Sequence, residues 1–513
     1  MTQPAFERAL GLDRIEGERL DLLVVGGGIV GAATAALAAE RGLAVGLVER
    51  ADFASGASSA SSKLIHGGLR YLRMGDVGLV RQALGEAHAL TTVVAPHLAR
   101  PLPFLLPVYG EGPYGRPAIG AALWLYDRLA RRPRSGRMLA PGQAASLIPS
   151  LRRDDLRAVG RYEDAQTNDG RLCLANLRSA AERGAIVLNY CELAALERAT
   201  GGPAVATVLD RVGGATLRVE ARAVVNAAGP WVDAVRRLES PRAGTSVRLS
   251  KGAHLVLAAP PEPWSAALTV PIDGSRVAFA VPWEGMLLLG TTDEPYEGDP
   301  GAVVATDADE RQILAEAARA LDTDVVRADA VRFRFAGLRV LPSGSARRET
   351  IVSVGPSGVV SVAGGKLTTY RRTAAAVLGA LRGELGLHDV GPAERPLPGA
   401  ASADAVAAEI ARMRPELTAE TAALLGRTYG SLAGEVLAYA DDDPDALEPL
   451  APGAPEIVAQ AYYARDCEWA ATADDVLRRR TTVSIRGRST DDVRDRVERL
   501  LAPLSATEHR ARS

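Results

Sequence analysis

The residues Gly26-Gly27-Gly28-Ile29-Val30-Gly31 set glycines in the spacing G-x-G-x-x-G, directly after the apolar run DLLVV and ahead of an alanine-rich stretch. That spacing suits phosphate chemistry. Gly26 permits a tight turn, Gly28 lets backbone approach a pyrophosphate, and Gly31 lets a helix lie close on the preceding strand. The helix N-terminus adds unpaired N–H groups and a favourable dipole for anionic oxygens. Glu49 closes the next apolar run, AVGLVER, where a carboxylate can accept hydrogen bonds from ribose hydroxyls. Together these residues predict a dinucleotide site, but they do not separate NAD from FAD.

Two distant segments favour FAD. VVNAAGPW places Ala227, Ala228 and Gly229 just after a predicted strand, where backbone can approach a second part of a long cofactor. AGGKLTTYRR puts Gly364 and Gly365 at a strand-to-helix turn, with Thr368 among the residues expected at the cofactor. A helix N-terminus there suits negative charge on a reduced flavin ring. Three such turns in one chain fit an extended dinucleotide lying across a sheet.

Lysine usage adds a hint. Of 60 basic residues only Lys63, Lys251 and Lys366 are lysine. Where arginine is otherwise used so widely, a retained lysine suggests a place where a compact ammonium works and a planar guanidinium does not.

The elements that must hold these residues can be read from the apolar pattern. Residues 21–50 form a compact βαβ unit, strand, glycine turn, helix through Glu40 and second strand. A helix is predicted around 77–95, and another over 171–184 followed by a strand at 185–190. Short strands with Gly and Pro turns, plus one helix near 307–321, fill the region to 335, which predicts a mostly antiparallel sheet. Strand–turn–helix rhythm returns at 359–381, and the last 110 residues or so read as amphipathic helices. The expected fold class is therefore α/β. An FAD-binding Rossmann-like domain is built from 1–99, 156–235 and 336–390, with an insertion on the substrate side at 100–155. It is interleaved with an antiparallel β substrate domain at 236–335, and a linker at 391–403 leads to a C-terminal helical domain at 404–513.

Composition bounds the rest. At 513 residues, 47% hydrophobic and 24% charged, the chain is that of a folded protein with two or three domains. A net charge of −2 supplies no field for nucleic acid, so any anion site depends on local Arg and Lys. Cys173, Cys191 and Cys467 lack paired metal spacing, which argues against a metal site or a disulfide framework and for a reducing compartment. The N-terminus has no apolar signal core, and no run of about 18 apolar residues offers a span. Any membrane contact is expected to be peripheral. AIGAALWLYDRLARRPRSGR (118–137) is the candidate surface, with Leu, Trp and Tyr at the lipid and Arg128, Arg131, Arg132, Arg134 and Arg137 at anionic headgroups. A helix packed on its neighbours with solvated arginines is the competing reading.

Five longer strings are more specific than the glycine motif. FASGASSASSKLIHGGLRYL (53–72), KGAHLV (251–256), LGTTD (289–293), FAGLRVL (335–341) and GGKLTTYRR (364–372) occur in this order over nearly the whole chain. They resemble the aerobic FAD-dependent glycerol-3-phosphate dehydrogenases, within the D-amino-acid-oxidase-like flavoprotein superfamily. By that resemblance Ser58, Ser59 and Lys63 belong to a loop wrapping the flavin, and Arg70 and Tyr71 lie beside the substrate. His254, Arg339, Lys366 and Thr369 complete the site. One departure is Val340, where the family commonly has proline; it bears on the geometry around Arg339.

Charge logic agrees with these assignments. A phosphate monoester carries about two negative charges at neutral pH and calls for converging Arg and Lys donors. Arg70, Arg339 and Lys366 all stand next to glycines or in apolar runs, where an unpaired cation is costly. His254, one of six histidines, reads either as a satisfied core residue or as the general base for the substrate C2 hydroxyl. An arginine-stabilised alkoxide that releases its proton to water is the alternative. His66 is expected to pack near the flavin.

The resemblance implies oxidation of sn-glycerol 3-phosphate to dihydroxyacetone phosphate, with FAD as cofactor and a membrane quinone as electron acceptor. No His or Cys stands where covalent attachment can be argued, so non-covalent FAD is expected. It places the enzyme in the cytoplasm on the inner face of the cell membrane. A homodimer is compatible with it, but the sequence does not set the oligomeric state. A related oxidase using dioxygen or another small hydroxy or amino substrate is the runner-up. A flavin-binding regulatory protein without turnover is the reading from a different class.

Overall fold

The computed structural model describes residues 4–502 apart from 70–71, 73–74, 111, 113–114, 131–134, 199–201, 274–275, 344–349 and 393. Two sheets organise it. The first runs, in spatial order, Ile351–Val354, Val360–Ala363, Thr216–Asn226, Leu20–Val25, Val45–Val48 and Ile186–Leu188. Leu20–Val25 pairs in parallel with Thr216–Asn226 on one side and Val45–Val48 on the other. The hairpin Cys191–Arg198 and Ala204–Asp210 hangs from Thr216–Asn226.

Apolar runs buried on both faces are what a covered parallel sheet requires. Leu22, Leu23, Val24, Leu47, Val224 and Val225 accordingly have almost no exposed surface. The helix Ile29–Glu40 lies against Asp169–Ala181 and Tyr370–Ala380 in one apolar cluster. Its run of alanines leaves little side chain between the helix and its neighbours. At Gly31 the approach is so close that a Cβ would strike the Gly26 carbonyl oxygen.

The second sheet is mostly antiparallel. Its order is Glu294–Tyr296, Val247–Leu257, Met286–Gly290, Val277–Trp283, Ala267–Pro271, Ala99–Tyr109, Leu156–Thr167 and Leu64–Ile65, with Val331–Pro342 along the other edge of Val247–Leu257. The strand Leu156–Thr167 pairs along its length with Ala99–Tyr109. The expected division grouped it instead with the dinucleotide-binding part. Its partner begins at a segment read as an insertion for its prolines and glycines, and composition alone does not reveal a pairing across about fifty residues.

The helices Ala403–Met413, Ala419–Tyr429, Ala459–Cys467 and Asp491–Leu501 share their own core around Leu425, Tyr429, Val436 and Leu477. They dock through buried charge. Arg171 is clamped on Glu468, with Nη1 donating at 2.7 Å, and Glu284 accepts from both Arg100 at 3.0 Å and Arg427 at 2.9 Å. Trp469 packs edge-on against Phe6 and Phe53. Among the described residues no helix is long and apolar enough to cross a membrane, and no cluster of side chains could hold a metal ion.

Candidate functional site

One continuous cavity of about 1550 Å³ joins the two sheets. It starts at the glycine turn, where Gly26 takes φ +113° and a Cβ would lie 2.5 Å from the Ala227 carbonyl oxygen. Gly28 stands at the N-terminus of Ile29–Glu40, with Ser58 Oγ 3.0 Å from where its Cβ would be. The Ile29 N–H donates to that same hydroxyl at 2.9 Å, so Ser58 occupies the helix end that suits a phosphate oxygen. Glu49 accepts from the Gly27 N–H at 2.8 Å and the Ala51 N–H at 2.9 Å. Burial nevertheless pushes its carboxyl above the ordinary range.

From this end the lining continues past Ala228 and Gly229 to Gly364, Gly365, Lys366 and Thr368. Gly364 and Gly365 hold φ of +78° and +93°, conformations that a side chain would strain. The Thr368 hydroxyl is buried and accepts from the His66 N–H at 3.0 Å. These residues form a trough that begins at a phosphate-suited helix end and passes three backbone turns where small residues leave room. The donor set fits an extended FAD.

Beyond the trough the cavity is walled by strands of the second sheet. His254 sits on Val247–Leu257 between Gly290 and Phe335 of the flanking strands. Its Nε2 is 2.9 Å from Ser62 Oγ, its Nδ1 is buried without a partner, and its ring stacks on Phe335 at 5.0 Å. Burial first, then the charges of Arg339 and Lys63, push its pKa down to about 3, so the ring is neutral at physiological pH. Arg339 is braced rather than loose. Its Nη2 donates to Thr291 Oγ1 at 2.8 Å and the Thr292 carbonyl at 2.9 Å, and its Nη1 donates to Asp293 at 3.2 Å. Room for these side chains comes from glycines on the strands. A Cβ on Gly252 would meet Thr291 Oγ1 at 2.7 Å and the Arg339 guanidinium, and one on Gly290 would meet His254.

The expected residues thus divide. Gly26, Gly28, Glu49, Ser58, Ala228, Gly229, His254, Arg339, Gly364, Gly365, Lys366 and Thr368 all line the one cavity. Ser59, Lys63 and Thr369 are buried and are not among its lining residues. Lys63 lies behind the loop, its ammonium held by Asp169 at 2.6 Å and near the Trp283 ring. The second retained lysine, Lys251, is likewise tied to Asp309 at 2.8 Å. Of the three lysines, only Lys366 reaches the cavity. Arg70 and Tyr71 lie outside the described residues.

Sequence reasoning missed Ser62, Thr291, Asp293 and Phe335, which position His254 and Arg339. The signal was present in the glycines of KGAHLV, LGTTD and FAGLRVL, since a glycine inside a strand marks a close approach. The lipid-facing role expected for Tyr126 is overturned. Its ring is buried and its hydroxyl donates to Asp164 at 2.6 Å, while Trp124 on the same helix is 53% exposed.

A family model described as FAD dependent oxidoreductase matches residues 21–371. One described as the C-terminal domain of alpha-glycerophosphate oxidase matches residues 392–510. A glycerol-3-phosphate dehydrogenase of Mycobacterium leprae is 38% identical over 493 residues, covering 93% of this chain and 83% of that protein. One from Synechocystis is 35% identical over 500 residues, covering 92% and 90%. Among solved structures, the glycerol-3-phosphate dehydrogenase from Bacillus halodurans complexed with FAD matches with a TM-score of 0.77 at 29% identity, covering 98% of this chain and 97% of that one. With a glycine turn built for a pyrophosphate, a trough that fits FAD and relatives matched over 83% to 97% of their own length, the chain belongs to the FAD-dependent glycerol-3-phosphate dehydrogenase family.

Proposed function

We propose that this enzyme oxidises sn-glycerol 3-phosphate to dihydroxyacetone phosphate and passes the electrons to a membrane quinone. The observation that carries the reading is the convergence of a neutral His254, a braced Arg339 and Lys366 on the cavity that also contains the cofactor trough. FAD, when bound, supplies the acceptor for the hydride leaving C2. The protein's own residues do the rest. Arg339 and Lys366 attract the phosphate dianion and the oxygen that gains charge at C2. His254 takes the proton of the C2 hydroxyl.

A histidine held near 3 is a weak base, and the structure supplies a physical remedy. Arg339 is the largest charge holding it down. Burial is the larger cause and stays in place, but a bound dianion beside Arg339 offsets the guanidinium's field and in that part raises the basicity of the group that deprotonates it. Ser62, bonded to Nε2, fixes the ring plane while this happens.

The acceptor reading draws on the far end of the cavity. Leu69, Leu72, Leu79, Ala118, Ala122 and Leu125 line it between the helices Val77–Ala89 and Arg116–Ala130. An apolar passage of this kind suits a lipid-soluble acceptor better than a charged one. Trp124 is exposed on the second helix with Arg128 5.7 Å from its ring centre, a pair suited to the inner face of the cell membrane.

Anaerobic titration of the yellow protein with glycerol 3-phosphate is the test. Bleaching of the flavin by this substrate, and reoxidation by a quinone analogue faster than by dioxygen, are expected. No bleaching refutes the substrate assignment; faster reoxidation by dioxygen refutes the quinone assignment in favour of an oxidase.

A further inference from the structure

One of the places where the C-terminal helices meet the rest of the molecule is the turn Val476–Arg480, which carries three consecutive arginines. Arg479 and Arg480 face the cofactor side. Arg480 Nη2 donates to Asp52 at 2.8 Å, and Arg479 pairs with the same carboxylate. Asp52 adjoins Phe53, the ring that a Cβ on Gly27 would strike, so this pair braces the loop behind the glycine turn.

Arg478 turns to the substrate side. Its guanidinium lies 4.8 Å from the Phe333 ring centre and 5.1 Å from that of Phe335. Its Nη1 is buried with no hydrogen-bond partner. A buried guanidinium nitrogen without a partner is costly, and here the attraction between cation and ring faces offsets the cost. Phe335 in turn stacks on His254, the two planes within 13° of parallel. The contacts therefore run in series from the helical domain to the imidazole: Arg478, Phe335, His254, Ser62.

We propose that Arg478 is a positioning residue for the oxidation, clamping Phe335 so that the imidazole of His254 is held in plane against Ser62. The C-terminal helical domain is then part of the reaction centre rather than an appended module. Lys63 contributes to the same ring, with its ammonium 5.6 Å from the Phe335 centre, but it is already tied to Asp169. Arg478 is the member of this stack supplied by the helical domain. The inference rests on the reading of His254 as the proton acceptor.

Anaerobic stopped-flow reduction of the flavin by glycerol 3-phosphate tests it. Arg478→Ala is expected to slow the limiting rate roughly 10- to 100-fold, the cost of a displacement approaching 1 Å. The substrate concentration for half-maximal rate and the flavin content should stay as in the wild type. Arg478→Lys, which keeps a cation over the rings, should recover the rate to within about threefold. A purely structural role would instead lower thermal stability and flavin content and leave the reduction rate of the flavin-loaded fraction unchanged.

A wild-type limiting rate in Arg478→Ala overturns the proposal, as does an Arg478→Lys rate no better than that of alanine. Should Arg478→Ala not fold, Phe335→Leu decides. It removes the stacked ring and should slow reduction to the same extent, and a wild-type rate in that variant overturns the clamp. A wild-type protein that the substrate does not reduce refutes the functional reading itself, an outcome separate from any difference between variants.

Discussion

Gly290→Ala perturbs His254 without touching it chemically. Gly290 ends the strand Met286–Gly290 and stands directly opposite His254 in the register. A Cβ built there would lie 3.0 Å from His254 Cγ, closer still to Cδ2, and 3.1 Å from the Ala253 carbonyl oxygen. Relaxed carbon–carbon contacts need about 3.5–4.0 Å. The Ala253 carbonyl is part of a paired strand, so the imidazole is what yields, by roughly 1–1.6 Å at Cδ2. Overpacking of this kind costs about 1–3 kcal/mol of stability. A shift of about 1 Å in a reacting group costs on the order of 100-fold in rate.

The expected result is therefore a folded, yellow Gly290→Ala enzyme whose kcat with a soluble dye acceptor falls about 100-fold. Flavin content should hold, because Gly290 is not among the residues lining the cavity. A double-mutant cycle with His254→Asn isolates the route. If the alanine acts through the imidazole, it should cost little once His254 is gone. A full kcat in Gly290→Ala, or an undiminished loss in the His254→Asn background, would refute the reasoning.

Replacing Gly28 with valine should put side-chain atoms against Ser58 Oγ and the phosphate-facing helix end, giving colourless protein; retained flavin absorbance would contradict the trough assignment. Arg339→Ala should lower kcat/KM by about 2–5 kcal/mol, roughly 30- to several-thousand-fold, with flavin content unchanged. Lys366→Arg should lose activity despite keeping its charge, since Lys366 opens a tight turn at Leu367–Thr369 beside Gly365; full activity would show that a planar fork fits there. Burial pushes both His97 and His254 down to about 3, so the unfolded chain binds more protons than the folded one between that value and the ordinary 6.5. Stability should accordingly fall as pH drops through this window, by about 1.4 kcal/mol per pH unit for each histidine. Urea unfolding at pH 7.5 and 5.5 should show a smaller loss for His97→Gln than for the wild type, and equal losses would refute the assignment.

The amino-acid sequence determined the local machinery of this protein. Gly26, Gly28 and Gly31 are legible because their spacing is set by one turn of backbone and one helix, and a short window contains the whole requirement. The same holds for Gly364 and Gly365, whose positive φ is a property of single residues. The fold class was legible for a related reason, since strand and helix periods are written within each element. His254, Arg339 and Lys366 were reached through strings long enough to carry a resemblance.

What tertiary structure decided is which cation faces what. Lys63, Lys251 and Lys366 look alike in the sequence, yet two are spent on Asp169 and Asp309 and only Lys366 reaches the cavity. A charge's role depends on the partner that folding brings to it, and Asp169 is over a hundred residues from Lys63. Tyr126 likewise read as a membrane residue close to Trp124, but two residues on, about 200° around the helix, it turned inward onto Asp164. The stack of Arg478, Phe335 and His254 joins three segments spread across much of the chain. No local pattern records such a meeting, because the attraction between a cation and a ring exists only at the distance that the packed sheets and helices impose.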